Sequence, residues 1–333
     1  MSTEPSNRYP RLLADVGGTN VRFALERQRG RTDSIMVLPT SAHPSFLAAI
    51  RHYLAEQGEA ASAVRHAAIG IANPVWGDRI QMTNHDWSFS VEAIRTALAW
   101  DTFIVINDFA ALAHALPHLP PDALRCVAAG QRVDGAPRAL IGPGTGLGVA
   151  GLAEGPAGSL AGPTVIAGEG GHVSFAPTCD EQYRLWQFMR QDFEHVSAER
   201  LLCGEGLSAI HAFVSGTSRA SRLAPDAITA AALEDGDAQC LQAINLFCAI
   251  LGSTAGNLAL TLGARGGVYI GGGIVPRLGE AFHRSPFHHH FLAKGRFESY
   301  MRAIPVHVIH ADLPALTGLS AVLDHALAGS PAR

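Results

Sequence analysis

The hydrophobic positions of the chain form short apolar runs, which glycine pairs and polar residues separate from longer amphipathic stretches. Short apolar runs bounded by turn signals indicate strands, and apolar residues spaced three and four apart indicate helices. The first part predicts, in order, two or three strands around a glycine hairpin at 11–38, a helix at 44–57, strands at 64–72 and 103–108, and a helix ending at Pro117. We expect positive φ at Gly17 and Gly18, which would make the hairpin possible.

The second part of the chain follows the proline-rich segment 117–122, which is the best candidate for a domain boundary. It predicts strands at 138–152, mostly helices over 180–262, a strand, turn and helix at 266–278, a strand at 304–312 and a closing helix at 314–327. A strand, a glycine hairpin and a second strand occur at 11–26 and again at 138–152. This rough repeat suggests two similar α/β lobes with a ligand between them.

Composition and charge predict a globular protein and disfavour proteins that bind nucleic acid or span a membrane. With 47% hydrophobic and 16% charged residues, the chain of 333 residues is globular with a large core. The net charge is −4 and the basic residues form no run, so we expect no nucleic-acid partner. The first residues lack the apolar core of a signal peptide. Every apolar stretch is interrupted before the roughly 18 residues of a spanning helix, so we expect no membrane partner.

The cysteines indicate a reducing compartment. They form no CxxC pair and no cysteine–histidine spacing typical of zinc: Cys126, Cys179, Cys203, Cys240 and Cys248. An odd, scattered set of thiols is typical of a cytoplasmic protein, and we expect zinc to be absent and unnecessary. The segment FHHHF at 287–291 is more consistent with a surface or interface than with a metal site, because three consecutive side chains cannot all face one ion.

Lys294 is the only lysine, and Gly295 follows it. A Walker A loop needs its lysine directly before Ser or Thr, so that class of nucleotide site is excluded. If the protein handles nucleotide phosphates, it does so with backbone, hydroxyls and a metal ion.

Three glycine turns next to predicted strands are candidate phosphate sites. The first joins Asp15 to Gly17-Gly18-Thr19-Asn20, the second contains Gly144-Thr145-Gly146, and the third is Gly271-Gly272-Gly273. Each can be an ordinary tight turn. The alternative is a loop that brings backbone N–H and hydroxyl groups against phosphate, with the Asp15 carboxylate beside them for Mg²⁺.

Polar residues elsewhere suggest acid–base chemistry and polyol binding. Asp108 ends a buried strand and can be a helix N-cap or a general base, since phosphoryl transfer to an alcohol needs a carboxylate that orients the hydroxyl and takes its proton late. Glu169, His172 and Glu199 are residue types that satisfy the hydroxyls of a polyol. The alternatives are a solvated helix face for Glu199 and a hydrogen-bonded core position for His172.

Together these stretches resemble the bacterial glucokinases of the hexokinase-like, actin-fold superfamily. The matching segments run in order from residue 14 to about 278: ADVGGTNVRFAL, MTNHDWSFS, VINDFAALAHALP, PGTGLGVAGL, VIAGEGGHVSFAP, HVSAERLLCGEGL and VYIGGGIVPRL. The resemblance implies an α/β fold of two actin-like (ribonuclease H-like) lobes, with mixed sheets flanked by helices and an active-site cleft between them. The small lobe would comprise 8–118 and a C-terminal helix at 313–330, and the large lobe 119–312.

The resemblance also implies an activity, ATP-dependent phosphorylation of glucose at its 6-hydroxyl as the first step of glycolysis. Asp108 would be the base, and the sugar would be held by Asp108 with Asn84, Asn107, Glu169, His172 and Glu199. The nucleotide would be bound by Ala14, Asp15, Val16, Gly17, Gly18, Thr19, Asn20, Gly144, Thr145, Gly146, Gly271, Gly272 and Gly273. Asp15 would hold Mg²⁺ through water, and the protein would be a cytoplasmic homodimer whose lobes close on glucose.

Two positions depart from the family pattern. Ala14 stands where the family usually has glycine, and Pro143 lies inside the second glycine loop, which it would stiffen. Neither is next to the predicted base. Glucose, mannose and glucosamine all stay open as substrates, and ATP and polyphosphate as phosphoryl donors.

The nearest alternative is the family of sugar repressors and kinases that shares the actin-like fold and a Glu-x-Gly-His stretch. Its histidine joins a cysteine-rich zinc motif, and no cysteine cluster follows His172 here. A DNA-binding helix-turn-helix is also missing from the N-terminal residues. A non-catalytic sugar sensor is disfavoured by Asp108, and an actin-like filament protein by the sugar-binding residues.

Overall fold

The computed structural model describes residues 8–83, 85–154, 163–218 and 222–328. The chain divides into two compact units. Unit 1 contains the described residues up to Leu119 together with those from Ala311 onward, and unit 2 contains Pro120–His310. The C-terminal segment thus returns to the unit that the N-terminal segment begins.

The strands of the described residues are short and mostly buried. They are, in chain order, β1 Arg11–Val16, β2 Asn20–Gln28, β3 Arg31–Pro39, β4 His66–Ile71, β5 Arg79–Gln81, β6 Ser88–Ser90, β7 Thr102–Asn107, β8 Leu124–Ala128, β9 Arg138–Pro143, β10 Leu147–Ala153, β11 Thr164–Gly168, β12 Val268–Ile270 and β13 Val306–Ile309.

The α-helices range from a single turn to 25 residues. They are α1 Phe46–Glu56, α2 Glu59–Ser62, α3 Val91–Ala97, α4 Asp108–Ala115, α5 Asp180–Met189, α6 Gly204–Ser215, α7 Pro225–Leu233, α8 Ala238–Leu262, α9 Ile274–Leu278, α10 Glu280–Arg284, α11 Phe287–Leu292, α12 Glu298–Arg302 and α13 Pro314–Ala328.

Unit 1 contains a five-stranded mixed sheet in the order β3-β2-β1-β4-β7. The hairpins β1–β2 and β2–β3 are antiparallel, and β1–β4 and β4–β7 are parallel. Side chains alternate between the two faces of each strand. Leu12 therefore packs with α1 residues such as Phe46 on one face, whereas Leu13 packs with Leu319 of α13 on the other. Both faces are covered, which explains why β1 is apolar from Leu12 to Ala14 and again at Val16.

Unit 2 contains a six-stranded sheet in the order β11-β10-β9-β12-β13-β8. Its first five strands repeat the directions seen in unit 1, with two antiparallel pairs followed by two parallel pairs. The strand β8 extends the sheet by an additional antiparallel pair with β13. The repeat read from 11–26 and 138–152 thus corresponds to two sheets of the same order, and the predicted α/β class with mixed sheets is confirmed.

The long helix α8 is the centre of the unit 2 core. By length and mean hydropathy alone it could cross a membrane, although Asn245, Gly252 and Asn257 interrupt its apolar residues. Of its most apolar 18-residue window, 72% is buried inside the protein. It lies against α6, α7, α11 and β9. This burial is that of a core helix.

The prediction of mostly helical structure over 180–262 is confirmed for the described residues, with an interruption between α5 and α6. Residues 191–203 form turns and bends, with an isolated antiparallel bridge between Ser197 and Ser174. Besides its own turn hydrogen bonds, the backbone of this segment pairs with residues 171–175, since Phe175 N donates to Val196 O and Ala198 N donates to Val173 O, both at 2.9 Å. Local sequence pattern carries no information about such a distant partner.

Candidate active site

The hairpin between β1 and β2 brings Gly17, Gly18 and Thr19 to the end of the unit 1 sheet. Val16 pairs with Val21, and Gly17 N donates to Asn20 O at 2.9 Å. Neither Gly17 nor Gly18 is among the residues with positive φ, so the predicted reason for these glycines is wrong. A Cβ added to Gly17 would meet only the Asn20 carbonyl, at an ordinary 3.5 Å. The turn is therefore open on the side where a side chain would otherwise project.

Thr40 fixes the orientation of this turn. Its buried side chain donates from Oγ1 to Gly18 O at 2.8 Å, and its backbone N donates to Thr19 O at 3.0 Å. Two successive carbonyls of the turn are thereby engaged by one residue at the start of the 3₁₀ turn Thr40–Ala42. Holding the carbonyls to one side limits the rotation of the peptide groups.

Asp15 lies directly across from Arg22 in the register of this hairpin. Arg22 Nη1 donates to Asp15 Oδ2 at 3.3 Å, and the Asp15 side chain is 23% exposed. Burial raises the pKa of Asp15 above its usual value, although the charge and hydrogen bond of Arg22 act in the opposite direction. The carboxylate is thus held where its negative charge is poorly solvated, which favours a cation beside it.

Asn107 and Asp108 lie at the end of β7, at the same edge of the sheet as Gly17. Val16 pairs with Ile71 and Ile71 pairs with Asn107, so the carboxyl ends of three parallel strands meet there. This edge is where ligands bind in open α/β sheets. Register alone brings the hairpin and the Asn107-Asp108 pair to one edge.

Asn107, and not Asp108, caps helix α4. Asn107 Oδ1 accepts from the backbone N–H of Phe109 at 2.9 Å and of Ala110 at 3.1 Å. Asp108 is the first helical residue, and its Oδ1 accepts from Phe109 N at 2.9 Å and from Asn107 Nδ2 at 3.0 Å. The capping alternative for Asp108 is therefore wrong, since a neighbour performs that role.

Small residues let α4 lie close to the sheet and to α13. A Cβ at Gly70 of β4 would lie 3.3 Å from Ala111 Cβ and 3.6 Å from Asp108 Cα. At Gly318 of α13 it would lie 1.8 Å from Ala111 O, which no side chain could tolerate. The position of Asp108 thus depends on two glycines that are far apart in sequence.

The hairpin between β9 and β10 in unit 2 contains Gly144, Thr145 and Gly146. Gly144 N donates to Gly146 O at 2.8 Å, and Gly144 O accepts from Gly204 N, at the start of α6, at 3.0 Å. The Glu199 carboxylate fills the space beside Gly146, where a Cβ would lie 2.5 Å from Glu199 Oε2. Glu199 Oε2 also accepts from Leu147 N at 2.8 Å. A side chain at position 146 would therefore displace the Glu199 carboxylate.

The segment Glu169–His172 packs against the same hairpin. A Cβ at Gly171 would lie 2.3 Å from Leu147 O, and one at Gly170 would lie 2.8 Å from Val149 Cγ1. His172 Nε2 lies 3.9 Å from Glu199 Oε1, and the His172 side chain is 61% exposed. Glu169 is also exposed. The alternatives of a core histidine for His172 and a helix face for Glu199 are therefore wrong, because Glu199 lies in a turn.

The third glycine turn follows β12 and precedes α9. Gly272 has φ of +75°, and a Cβ there would lie 2.3 Å from Pro143 O. Gly271 N donates to Ile141 O at 2.9 Å. The second and third glycine turns thus contact each other at the carboxyl ends of β9 and β12, and Pro143 is the residue between them.

Some predicted residues can contribute only their backbone. The side chains of Ala14 and Val16 are fully buried in the unit 1 core. Asn84 lies outside the described residues. The sequence analysis missed Arg22, Thr40 and Asn73. Of these, Asn73 accepts from Asn107 Nδ2 through its carbonyl at 3.4 Å and anchors Thr83 through its side chain. The Asp15–Arg22 pairing could have been found by placing the hairpin in register.

In the described parts of the chain, histidines and cysteines do not gather into a larger metal cluster. Among the described residues, no group of three or more His, Cys, Asp or Glu side chains could hold a metal ion. Within FHHHF, Phe287 and Phe291 are buried and His289 is exposed. The five cysteines are free thiols, and burial raises the pKa of Cys248 to about 12.

Three comparisons with known proteins, by family model, by sequence and by structure, all identify similarity to glucokinases. The sequence model of the glucokinases matches residues 12–326. A glucokinase from Ralstonia nicotianae is 56% identical to this chain over 341 residues, covering 98% of both chains. A crystal structure of a glucokinase from an Antarctic psychrotroph superposes with a TM-score of 0.82 at 33% identity, covering 95% of this chain and 98% of that one.

A more distant structure shows that the fold extends further than the sequence similarity. The glucokinase of Balamuthia mandrillaris, solved in complex with glucose, has a TM-score of 0.78 at 17% identity, covering 95% of this chain and 93% of that one. At this identity the comparison shows the fold alone.

Proposed function

The chain belongs to the glucokinase family, and we propose that it transfers the γ-phosphoryl group of ATP to the 6-hydroxyl of glucose, giving glucose 6-phosphate and ADP. It is an ATP-dependent hexose kinase by this membership. The residues that carry out the reaction are proposed from the geometry of each unit.

The observation that carries the proposal is the position of Asp108. Its neighbour Asn107 supplies the helix cap, so the Asp108 carboxylate is not required for that purpose. The Asn107 amide and the Phe109 N–H both donate to Asp108 Oδ1, which fixes the carboxylate. We propose that Asp108 orients the 6-hydroxyl and accepts its proton late in the transfer. Phosphoryl transfer to an alcohol needs no other chemistry from a base.

The open turn at Gly17 and Gly18 is proposed to receive the phosphates. With the Gly18 and Thr19 carbonyls held by Thr40, a phosphate oxygen can approach the turn without meeting a side chain at Gly17. The Arg22 guanidinium, 38% exposed, supplies positive charge nearby. This cation matters because the chain has a single lysine, Lys294, whose amine donates to Ser253 in unit 2.

Asp15 is proposed to hold Mg²⁺ through water. One poorly solvated carboxylate suits this ion, which keeps several waters and takes its remaining ligands from phosphate. The absence of a larger ligand cluster among the described residues fits that mode of binding. When bound, the ion would offset the charge of the β- and γ-phosphates.

Glu169, His172 and Glu199 are proposed to bind the sugar, together with Asn84 and Asn107. The His172 and Glu199 side chains come within 3.9 Å of each other, so both can contact neighbouring hydroxyls of one ring. Gly144, Thr145 and Gly146 would form the second phosphate turn, and Gly271–Gly273 would border the adenosine, with Ala14, Val16, Thr19 and Asn20 completing the nucleotide site. We further propose a homodimer in the cytoplasm that acts without nucleic acid or membrane.

A coupled assay of ADP formation tests the proposal. The purified chain is given MgATP with no sugar and then with glucose, mannose or glucosamine, and polyphosphate replaces ATP in a parallel series. We expect ADP formation that depends on glucose. A folded protein that releases no ADP with any hexose would overturn the proposal, and glucose binding without turnover would indicate a sensor.

A further inference from the structure

Two histidines of unit 1 that have no role in the proposed reaction face each other. His52 Nδ1 lies 3.4 Å from His43 Nε2, and the ring centroids are 5.0 Å apart with 67° between the ring planes. His52 is exposed, and His43 is partly exposed. Nothing in the proposed phosphoryl transfer uses this pair.

We propose that His43 and His52 form a two-ligand site for a divalent transition-metal ion such as Zn²⁺ or Ni²⁺. Two nitrogens bound tetrahedrally to one Zn²⁺ at about 2.0–2.1 Å lie about 3.3–3.4 Å apart, which is the separation found here. Imidazole nitrogen is a ligand that suits these ions. Without the ion, one ring donates its N–H to the other. On binding, the donating ring changes tautomer: its proton leaves the facing nitrogen and solvent returns a proton to the other nitrogen of the same ring, so both facing nitrogens offer a lone pair to the metal and both rings stay neutral.

The backbone around both residues is already held in place. His43 N donates to Thr40 O at 3.2 Å, and His43 O accepts from Trp87 Nε1 at 3.0 Å. His52 lies on α1, whose opposite face is buried through Phe46 and Ile50. An ion would therefore order only two side chains, so little conformational entropy is lost on binding.

Imidazole binds a metal ion in its neutral form, through the ring nitrogen that carries no hydrogen. The remaining coordination positions would be taken by water, because no third ligand completes a cluster among the described residues.

The site would join α1 to the segment that supports the glycine hairpin. His43 directly follows the 3₁₀ turn Thr40–Ala42, and Thr40 holds the Gly18 and Thr19 carbonyls. A bound ion would therefore link this segment to α1 and stabilise its position. It would be an accessory site, separate from the Mg²⁺ proposed at Asp15.

Isothermal titration of the metal-free full chain with Zn²⁺, repeated with Ni²⁺, tests the proposal. We expect His43→Gln and His52→Gln each to weaken the tightest binding step by about tenfold or more, since outer-shell changes alone cost 10–100-fold. The double variant should lose no more than either single variant, because one ligand alone cannot chelate. The control is His289→Gln/His290→Gln, the adjacent pair on α11 whose ring centroids are 5.3 Å apart. This control should bind as the parent does.

Thermal unfolding without metal checks that the variants fold. An unchanged affinity in the His43→Gln/His52→Gln double variant would overturn the proposal, and so would an equal loss in the α11 control. A rise in Tm with Zn²⁺ in the parent that is absent from the double variant would support it.

Discussion

The two glycine hairpins occupy equivalent places in sheets of the same order, but glycine has a different purpose in each. A Cβ at Gly17 in unit 1 would meet one carbonyl at an ordinary distance, so the turn stays open. A Cβ at Gly146 in unit 2 would collide with the Glu199 carboxylate, so the turn is already filled by a side chain. The open turn leaves room for the phosphates that we propose, and the filled turn holds Glu199, which we propose binds the sugar.

The same contrast extends to the residues around each hairpin. Unit 1 places Asp15 near the end of β1 and Asp108 directly after β7, two parallel strands with β4 between them. Unit 2 places Glu169, His172 and Glu199 around packed glycines. A repeated motif therefore does not imply a repeated role: we assign the chemistry mainly to unit 1 and the holding of the sugar mainly to unit 2.

The largest expected effect is on turnover. Asp108→Asn keeps the size of the side chain but removes the proton acceptor, so kcat should fall on the order of 10²-fold or more. Glucose affinity should change much less, because the unit 2 residues remain. Steady-state kinetics and glucose titration measure the two quantities, with Asp101→Asn, an exposed aspartate of unit 1, as the control. Normal turnover by a folded Asp108→Asn protein would contradict the assignment.

A change in unit 2 should act on binding instead. Glu199→Gln keeps an acceptor for Leu147 N but loses the charge, so the KM for glucose should rise on the order of tenfold, more than kcat falls. Glu194→Gln, an exposed glutamate of the same segment, should leave both constants unchanged. If Glu199→Gln reduced kcat alone, the proposed division of roles, with chemistry in unit 1 and sugar binding in unit 2, would be wrong.

The two hairpin glycines should respond differently to the same substitution. Gly146→Ala forces Glu199 away from Leu147 N and should lower the free energy of unfolding by about 1–2 kcal/mol. Gly17→Ala should change it by less than about 0.5 kcal/mol, yet raise the KM for MgATP. Urea unfolding and kinetics of both variants compare them directly, and equal destabilisation would remove the contrast drawn here.

The smallest effect concerns the charge of Asp15. Because burial raises its pKa in the native state, its favourable contribution to stability is complete below the ordinary carboxyl pKa and is lost as the pH rises through the native pKa. Asp15→Asn should therefore make the nucleotide-free protein slightly more stable at neutral pH, with no gain in acid. Thermal unfolding across pH measures this; a less stable variant at pH 7 would show that Arg22 outweighs burial.

Much of unit 1 could be predicted from local pattern. The Gly17-Gly18 turn and the Asn107-Asp108 pair lie where short apolar runs end, and parallel strands bring such ends together. Positive φ was the wrong reason for Gly17 and Gly18. A turn that needs positive φ and a turn that must leave space for a ligand both select glycine, so the sequence alone cannot distinguish the two. Only the structure distinguishes them.

The Glu199 site could not be derived from pattern. Glu199 reaches Gly146 and His172 because residues 171–175 pair with 196–198. The register of this pairing cannot be read from the sequence, because irregular loops connect the two segments. The segment before α6 has apolar residues at helical spacing, yet tertiary pairing overrides this preference. Thr40 was missed because a buried threonine has no motif of its own.

The crossing of α13 over α4 has a consequence for the order of synthesis. Unit 2 is continuous in sequence, whereas the sheet of unit 1 is covered on one face by a helix that begins at Pro314. During translation, domains fold as their residues emerge from the ribosome. Unit 2 can therefore complete its core before α13, which completes unit 1, has been synthesised. The helix that carries Asp108 packs closely against Gly318 of α13, so α4 gains this support only after α13 has been made.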